Sequence, residues 1–482
     1  MKIAQKLKEN KQIFTDNLGI GQSFDIVDRE IKVANKDALM LFIDGFAKDD
    51  VMVWIMGTLQ NLKKEDIAIN TLEKLIKSKI AYLEVETEDE VETIQDWILS
   101  GALALLIDGE KEAIIIDVRE YPIRGPEEPD LERVTRGSRD GFVETIIFNT
   151  ALIRRRIRDP KLCFEITKVG TRSKSDIVIG YIKDIANKDL VEKLKNQIDE
   201  INIDALTMAE KSLQEFILGG GWNPFPKAKF TERPDVAAAH LLEGHIIIIV
   251  DTSPSVMILP VTIFHFTQHA EDYYQAPSVG TYIRWVRLLG IFFSFVLPPL
   301  WLLGVFYNQK LPEAIQFIGP KEDANIPLYI QFLILEIGLD MLRIASIHTP
   351  NTLSTSLGII GALLLSEFAV DVGWFVPETV LYMAVAGIGM FATPSIEFSY
   401  AVRLFRLLLI ILTGVGKIYG FVIGILIMLI TLFSTKGYGD TKYLWPLIPF
   451  DGKALRTILF RQPIPDVSSR PAFLRTKDKH DK

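Results

Sequence analysis

Cysteine is nearly absent: the 482 residues hold one, Cys163. That excludes an internal disulfide framework and suits a reducing compartment. The first 30 residues are charged and polar and lack the apolar core of a signal peptide, so export of the N-terminal half is not expected. No Gly-Lys-Ser/Thr phosphate loop, dinucleotide fingerprint or Ser-His-Asp order is present. Enzyme chemistry, a cofactor and a metal are therefore not expected. Charge is missing from one region in particular. Residues 1–283 carry 35 Lys/Arg and 47 Asp/Glu, whereas residues 284–482 carry 18 and 14. The acidic first part argues against a nucleic-acid partner, which needs a basic face. Within 288–435 only 15 of 148 residues are charged. A soluble domain rarely keeps charge so low for so long, so this block is expected to face lipid or to be enclosed by helices that do.

What is there falls into five parts. Residues 1–120 alternate strand-like and helix-like runs. Val51–Leu59 is an apolar run that periodicity leaves undecided, and Ala102–Ile107 and Ala113–Val118 flank Asp108-Gly109, a hairpin signal. Pro122, Pro126 and Pro129 mark a linker opening a second unit, 121–218. It contains strands at Leu162–Lys168 and Asp176–Ile182 and a helix at Asp189–Glu200. Arg154-Arg155-Arg156 reads as an exposed helix end, where the macrodipole favours cations, with phosphate or anionic lipid as the alternative. Residues 219–283 read as a linker and a strand/helix junction, 284–435 as a helical membrane domain, and 436–482 as a basic tail, disordered from Arg475. The expected architecture is an α/β cytoplasmic region of two subdomains followed by an α-helical polytopic membrane domain of four to five spans.

The membrane block starts at Leu288–Phe306, nineteen residues without a charge. At about 1.5 Å per residue it can cross a layer about 30 Å thick. Arg284, Trp285 and Arg287 precede it and read as membrane-boundary anchors on the cytoplasmic side. Further apolar segments lie at Leu328–Ile347, Leu357–Val372, Val376–Phe391 and Leu404–Phe433. A basic tail beside a basic leader calls for an even number of crossings. Leu328–Ile347 carries Glu336, Asp340 and Arg343 on one helical face, so it either lies in the interface or crosses with that stripe turned to a pore or partner. Ser356, Gly358, Gly361, Leu365 and Glu367 recur along neighbouring parts of one face and are the candidate pore lining, with tight helix packing as the equal alternative. His265 and His269, one turn apart, and Asp251-Thr-Ser-Pro, after an apolar strand, read as structural rather than as a metal pair and a phosphorylated aspartate.

These residues together resemble the A subunits of GerA-type spore germinant receptors. The resemblance rests on Arg136-Gly-Ser-Arg-Asp-Gly-Phe-Val-Glu with Asn149 and Leu152–Ile157, and on Gly280-Thr-Tyr-Ile-Arg. It also rests on Leu297-Pro-Pro-Leu, Glu336 with Arg343, Ser356–Glu367, Ala401-Val-Arg-Leu-Phe-Arg, and Tyr443-Leu-Trp-Pro-Leu-Ile-Pro-Phe. Within that family, Val250–Val256 and the His265/His269 segment look most like one A-subunit paralogue. Ser138 stands where many members carry Pro, and Glu367 where many carry Gln. The resemblance implies a multi-pass protein of the spore inner membrane that forms a homo-oligomeric channel for monovalent cations. The expected partners are other membrane subunits of a germination complex and the lipid bilayer. A non-conducting scaffold that recruits partners through its large soluble region is the competing expectation.

Overall fold

Ala34 and Asn35 both take left-handed backbone angles, φ 47° and 74°, which makes the two-residue turn of a tight hairpin. It joins β1 (Ile26–Val33) to β2 (Lys36–Ile43), paired in register from Ile26 with Ile43 to Val33 with Lys36. These belong to a computed structural model that describes residues 1–67, 70–80, 82–120, 129, 132–321, 324–348, 369–466 and 469–478. The chain divides into two compact units, Met1–Gly220 with Ala228–Pro260 and Pro465–Lys482, and Gly221–Lys227 with Val261–Ile464.

The first unit holds two five-stranded antiparallel sheets. One runs β1-β2-β4-β5-β3, with β3 at Val85–Glu88, β4 at Leu103–Ile107 and β5 at Ala113–Ile116. Helices cover both faces. On one side Phe14 and Leu18 of α1 (Leu7–Leu18) and Ile94 and Ile98 of α3 (Val91–Leu99) pack on Leu39, Leu41, Ala104 and Leu106. On the other, Met52, Ile55 and Leu59 of α2 (Asp49–Gln60) meet Met40, Leu103 and Leu105. A central strand buried on both faces explains why β4 is apolar at every position. The undecided run at Val51–Leu59 is helical, with Val53 and Trp54 left exposed on its outer side.

The second sheet repeats the strand order, β6-β7-β9-β10-β8. Its strands are Leu162–Val169, Ser175–Ile182, Lys229–Thr231, Ile246–Val250 and Val256–Leu259. Helices α4 (Ile146–Arg154), α5 (Lys188–Asp199), α6 (Ala209–Leu218) and α7 (Pro234–Glu243) accompany it. Three of the five strands come from 229–259, where sequence reading finds one, Ile246–Val250, within a linker and strand/helix junction. The reason is local: β8 is only three residues long and leaves no period to read.

The two sheets also share their helix-start chemistry. In α1 the Asn10 side chain donates to Ala4 O at 2.6 Å and accepts from Ala4 N at 2.7 Å, while Leu7 N donates to Asp108 Oδ1 at 2.9 Å. In α4 Asn149 clamps Val143 in the same way, 2.6 and 2.8 Å, and Ile146 N donates to Asp251 Oδ1 at 3.3 Å. Gly109 N bonds Gln5 O, and Thr252 N bonds Glu144 O, both at 2.8 Å. Each carboxylate sits where a helix start supplies unpaired N–H groups and a partial positive charge. The unit is thus a structural duplication. Its last described residues are ordered against it, with Phe473 and Leu474 buried and Lys477 N donating to Ile185 O at 3.1 Å, so disorder does not begin at Arg475.

The second unit is helical: α8 (Pro277–Phe306), α9 (Leu328–His348), α10 (Pro377–Phe391), α11 (Ile396–Ser434) and α12 (Gly452–Leu459). Among the described residues α8 and α11 are long and apolar enough to cross a membrane, and α10 is a shorter apolar helix. The expected four to five spans are thus not all matched by long apolar helices. α11 is not one rod. Lys417 takes φ 48° and ψ −129°, and the chain reverses there. A Cβ on Gly420 would fall 1.7 Å from Leu412 O, and one on Gly424 2.5 Å from Leu409 Cδ1. Residues 420 and 412 are two turns apart and would be remote in a straight helix. The two arms, 396–416 and 418–434, therefore lie antiparallel.

Candidate functional site

The helices of the second unit share two levels. The proximal level holds the start of α8, where Phe266 stacks on Phe398 at 6.1 Å and Asn223 Nδ2 donates to Thr435 Oγ1 at 2.7 Å. Both ends of the α11 hairpin are therefore proximal. The distal level holds the end of α8, where Lys417 lies over the Phe306 ring at 5.7 Å and Trp301 Nε1 donates to Ile318 O at 2.7 Å. α9 starts distally, with Tyr329 against Gly414, and descends beside the first arm until Arg343 lies over the Tyr400 ring at 4.5 Å. α10 also starts distally, where Val376 N donates to Gln331 Oε1 at 3.0 Å, and descends to cross α8 at Gly290. A Cβ on Gly389 would fall 2.1 Å from Gly290 O, so the two backbones touch there.

The charged stripe of α9 has its first member turned inward and the other two half-buried. Glu336 is fully buried and accepts from Arg403 Nε at 2.7 Å and from Arg406 Nη2. Asp340 pairs with Arg403. Arg406 Nη1 also donates to Ser294 O of α8 at 2.7 Å, tying three helices together. The stripe therefore meets cations of the first α11 arm in the same chain. Among the described residues, Glu336 Oε2 and Arg406 Nε, both buried, meet no hydrogen-bond partner.

The three residues read as boundary anchors sit in a network around Asp272 and α12. Asp272 is buried and receives Arg287 Nη2 at 2.7 Å, Arg287 Nη1 at 2.8 Å and Arg284 Nε at 3.3 Å. Arg284 Nη1 donates to Thr457 O at 2.9 Å and Ile458 O at 2.8 Å, and Trp285 Nε1 to Leu459 O at 2.8 Å. Only Trp285 of the three is exposed. Arg284 holds the C-terminal end of α12, where free carbonyls and the dipole favour a cation, while Arg287 Nη1 reaches Thr267 O at 3.2 Å. Gly280 is required beside them, since a Cβ would lie 2.3 Å from Asp272 O. Ser356, Gly358, Gly361, Leu365 and Glu367, the candidate lining, lie outside the described residues.

The remaining sequence candidates make the following contacts. His265 and His269 do not share a helical face: each Nδ1 accepts from a turn amide, Thr262 N at 3.1 Å and Glu271 N at 3.2 Å. Asp251 starts α4, as described above. Arg154 is not an exposed helix end. It is fully buried, with Nε 2.9 Å from Asp25 Oδ2 and Nη2 3.3 Å from Asp25 Oδ1, and its other donors reach Asp159 O and Leu162 O. It fastens the second sheet's first helix to the loop before β1. The signal missed in sequence was Asp25, 129 residues away.

A family profile described as Bacillus/Clostridium GerA spore germination protein matches residues 13–473. The chain belongs to the GerA spore germination family. It is similar to stage V sporulation protein AF of Bacillus subtilis (strain 168), 46% identical over 98% of this chain and 95% of that protein. Spore germination protein KA of the same organism is 29% identical over 97% and 87%. Among solved structures it is similar to the N-terminal domain of the A subunit of the Bacillus megaterium spore germinant receptor GerK3, at 27% identity and a TM-score of 0.43, covering 54% of this chain and 96% of that one. In this GerA-family chain, the residues that carry the resemblance are mostly framework. Asn149 clamps α4, Arg154 holds Asp25, Arg284 holds α12, Glu336 meets Arg403 and Arg406, and Tyr443 Oη donates to Pro226 O at 2.9 Å. GerA-family membership supports a role in spore germination.

Proposed function

We propose that the chain is an A-type membrane subunit of a spore germination complex that assembles with copies of itself and with other membrane subunits into a channel for monovalent cations. On this reading the second unit sits in the spore inner membrane and the α/β region faces the cytoplasm. The observation that carries it is connectivity. α9 reaches the proximal level at Arg343, and the chain resumes distally, where Asn325 Nδ2 donates to Gly373 O at 3.0 Å. The intervening twenty residues, 349–368, lie outside the described residues, and their sequence holds most of the apolar segment Leu357–Val372. With the hairpin counted as two passes the crossings come to six, which returns residues 436–464 to the side of Arg284. Ile263 N donating to Tyr443 O at 2.9 Å supports that return.

On this reading the pore lining is Ser356, Gly358, Gly361, Leu365 and Glu367. Small residues leave room for a lumen, and an acidic side chain in a span marks a cation path. The acid at Glu336 is matched by arginines, and Glu367 is the acid within residues 349–368, so it is the candidate to set selectivity. Ion flux through the chain reconstituted with its natural partner subunits tests this. Glu367→Gln is expected to lower cation selectivity and Leu365→Ala to raise flux. Absence of conductance in the complete complex sinks the channel reading and leaves the scaffold.

A further inference from the structure

Four consecutive residues near the C-terminus, Leu447-Ile-Pro-Phe450, are exposed, Phe450 by 74%. They are not a loose loop. Tyr443 before them is buried and bonded to Pro226, and Asp451 after them returns its amide to Pro446 O at 2.9 Å and caps α12 through Ala454 N at 3.1 Å. α12 itself has two sides. Ile458 is buried against the helical unit, while Lys453 and Arg456 point outward. Phe460 and Ile464 continue the exposed apolar surface, and Phe460 lies 5.4 Å from Trp285 in an edge-on pair. Residues 436–464 carry Lys436, Lys442, Lys453, Arg456 and Arg461 against Asp440 and Asp451. Asp451 is already committed to the helix cap.

A rigid apolar tip, an amphipathic helix with cations outward and an aromatic pair beside them form one proximal patch. Apolar side chains buried at the headgroup boundary with Lys and Arg around them are the mark of an element lying in a membrane surface. Basic side chains near the surface favour anionic lipid. We propose that residues 447–461 are an interfacial foot that inserts Leu447, Ile448 and Phe450 into the membrane surface on the proximal side and selects anionic headgroups through Lys453 and Arg456. This rests on the reading of the second unit as membrane-embedded. Arg284 and Trp285 bind the carbonyls of residues 457–459, so lipid composition sensed by the foot bears directly on the start of α8.

The test uses the full chain in vesicles of phosphatidylcholine, with and without phosphatidylglycerol. Cys163 is buried, so a maleimide fluorophore reports on one introduced cysteine, with wild-type protein as the blank. Phe450→Cys is expected to show a blue shift and quenching by doxyl lipid, stronger in the anionic vesicles. Lys453→Glu with Arg456→Glu is expected to abolish the difference between vesicle types. Val422→Cys, on the outer face of α11, is the control. An immersed label at 422 with a water-exposed label at 450 overturns the foot alone. Water-exposed labels at both overturn the membrane reading as well. Immersion at 450 that ignores lipid charge, or protection of 450 only when a partner protein is added, overturns anionic-lipid recognition.

Discussion

Replacing Arg154 by Met should open the joint between the two α/β sheets. The guanidinium is fully buried and Asp25 is 1% exposed. Without Arg154 the Asp25 carboxylate keeps, among the described residues, the Ser23 hydroxyl at 2.6 Å. Breaking a buried ion pair by removing one partner costs about 3–5 kcal/mol, because the remaining charge is left uncompensated. At about 1.4 kcal/mol per tenfold, that is roughly two to three and a half powers of ten in the local opening equilibrium. Hydrogen exchange of the full chain reads it directly. Phe24 N donates to Phe164 O and Phe164 N to Ser23 Oγ, both at 3.0 Å, so these two amides report the joint. Adding Asp25→Asn to Arg154→Met removes the stranded charge and should restore most of the protection. Acceleration below about tenfold in the single variant would falsify the reasoning. A double variant no better protected than the single would mean that lost packing, not charge, sets the cost.

Other outcomes follow from the same geometry. Gly389→Leu should destabilise the helical unit in a thermal melt by more than about 3 kcal/mol, because the neighbour is the Gly290 backbone; Gly416→Ala, with open space around it, should shift the melt little. Cysteines at Ser395 and Ser434 should label from the same side of sealed vesicles and a cysteine at Lys417 from the other; opposite sides for 395 and 434 would mean that α11 is a single span. For pH, burial alone would raise the carboxyls of Asp140 and Glu165. Arg156 and Ser138 outweigh it at Asp140, and Lys195 and Tyr181 at Glu165, so both are held below the usual range. The folded state then binds fewer protons than the unfolded one. The stabilisation is complete above the ordinary carboxylate range and is lost as pH falls through the folded values. The melting temperature should hold down to about pH 5 and then fall; Arg156→Gln and Lys195→Gln should each blunt that fall.

Local chemistry was legible in the chain where a turn or a period carried it. Asp108-Gly109 announced β4 and β5, and the apolar runs announced β6, β7, β9 and α8. The first hairpin passed unread because its turn is Ala34-Asn35, where only Asn hints at left-handed backbone. The glycines at 414–424 pointed to close helix packing, yet not to packing of α11 on itself. The reversal sits on Lys417, a residue type with no preference for φ 48°. The charged stripe of α9 was visible and its partner was not, since Arg403 and Arg406 lie some 67 to 70 residues on. The duplication was hidden for a similar reason: it rests on Asn10 with Asp108 and Asn149 with Asp251, pairs separated by whole modules.

The hairpin has a consequence for how the protein is made. Between Arg406 and Lys436 the chain carries one charge, Lys417, and it sits at the turn. If the two arms enter the bilayer together, no hydrophilic loop is carried across. The barrier is a single ammonium, on the order of 2.5–3.5 kcal/mol at mid-membrane on insertion scales. Gly420 and Gly424 let the two arms pack closely on each other. Once across, Lys417 rests on the Phe306 ring at the end of α8. On the proposed membrane reading, the last two passes would then need no hydrophilic loop carried across, and the Phe306 ring would hold the lysine on the far side.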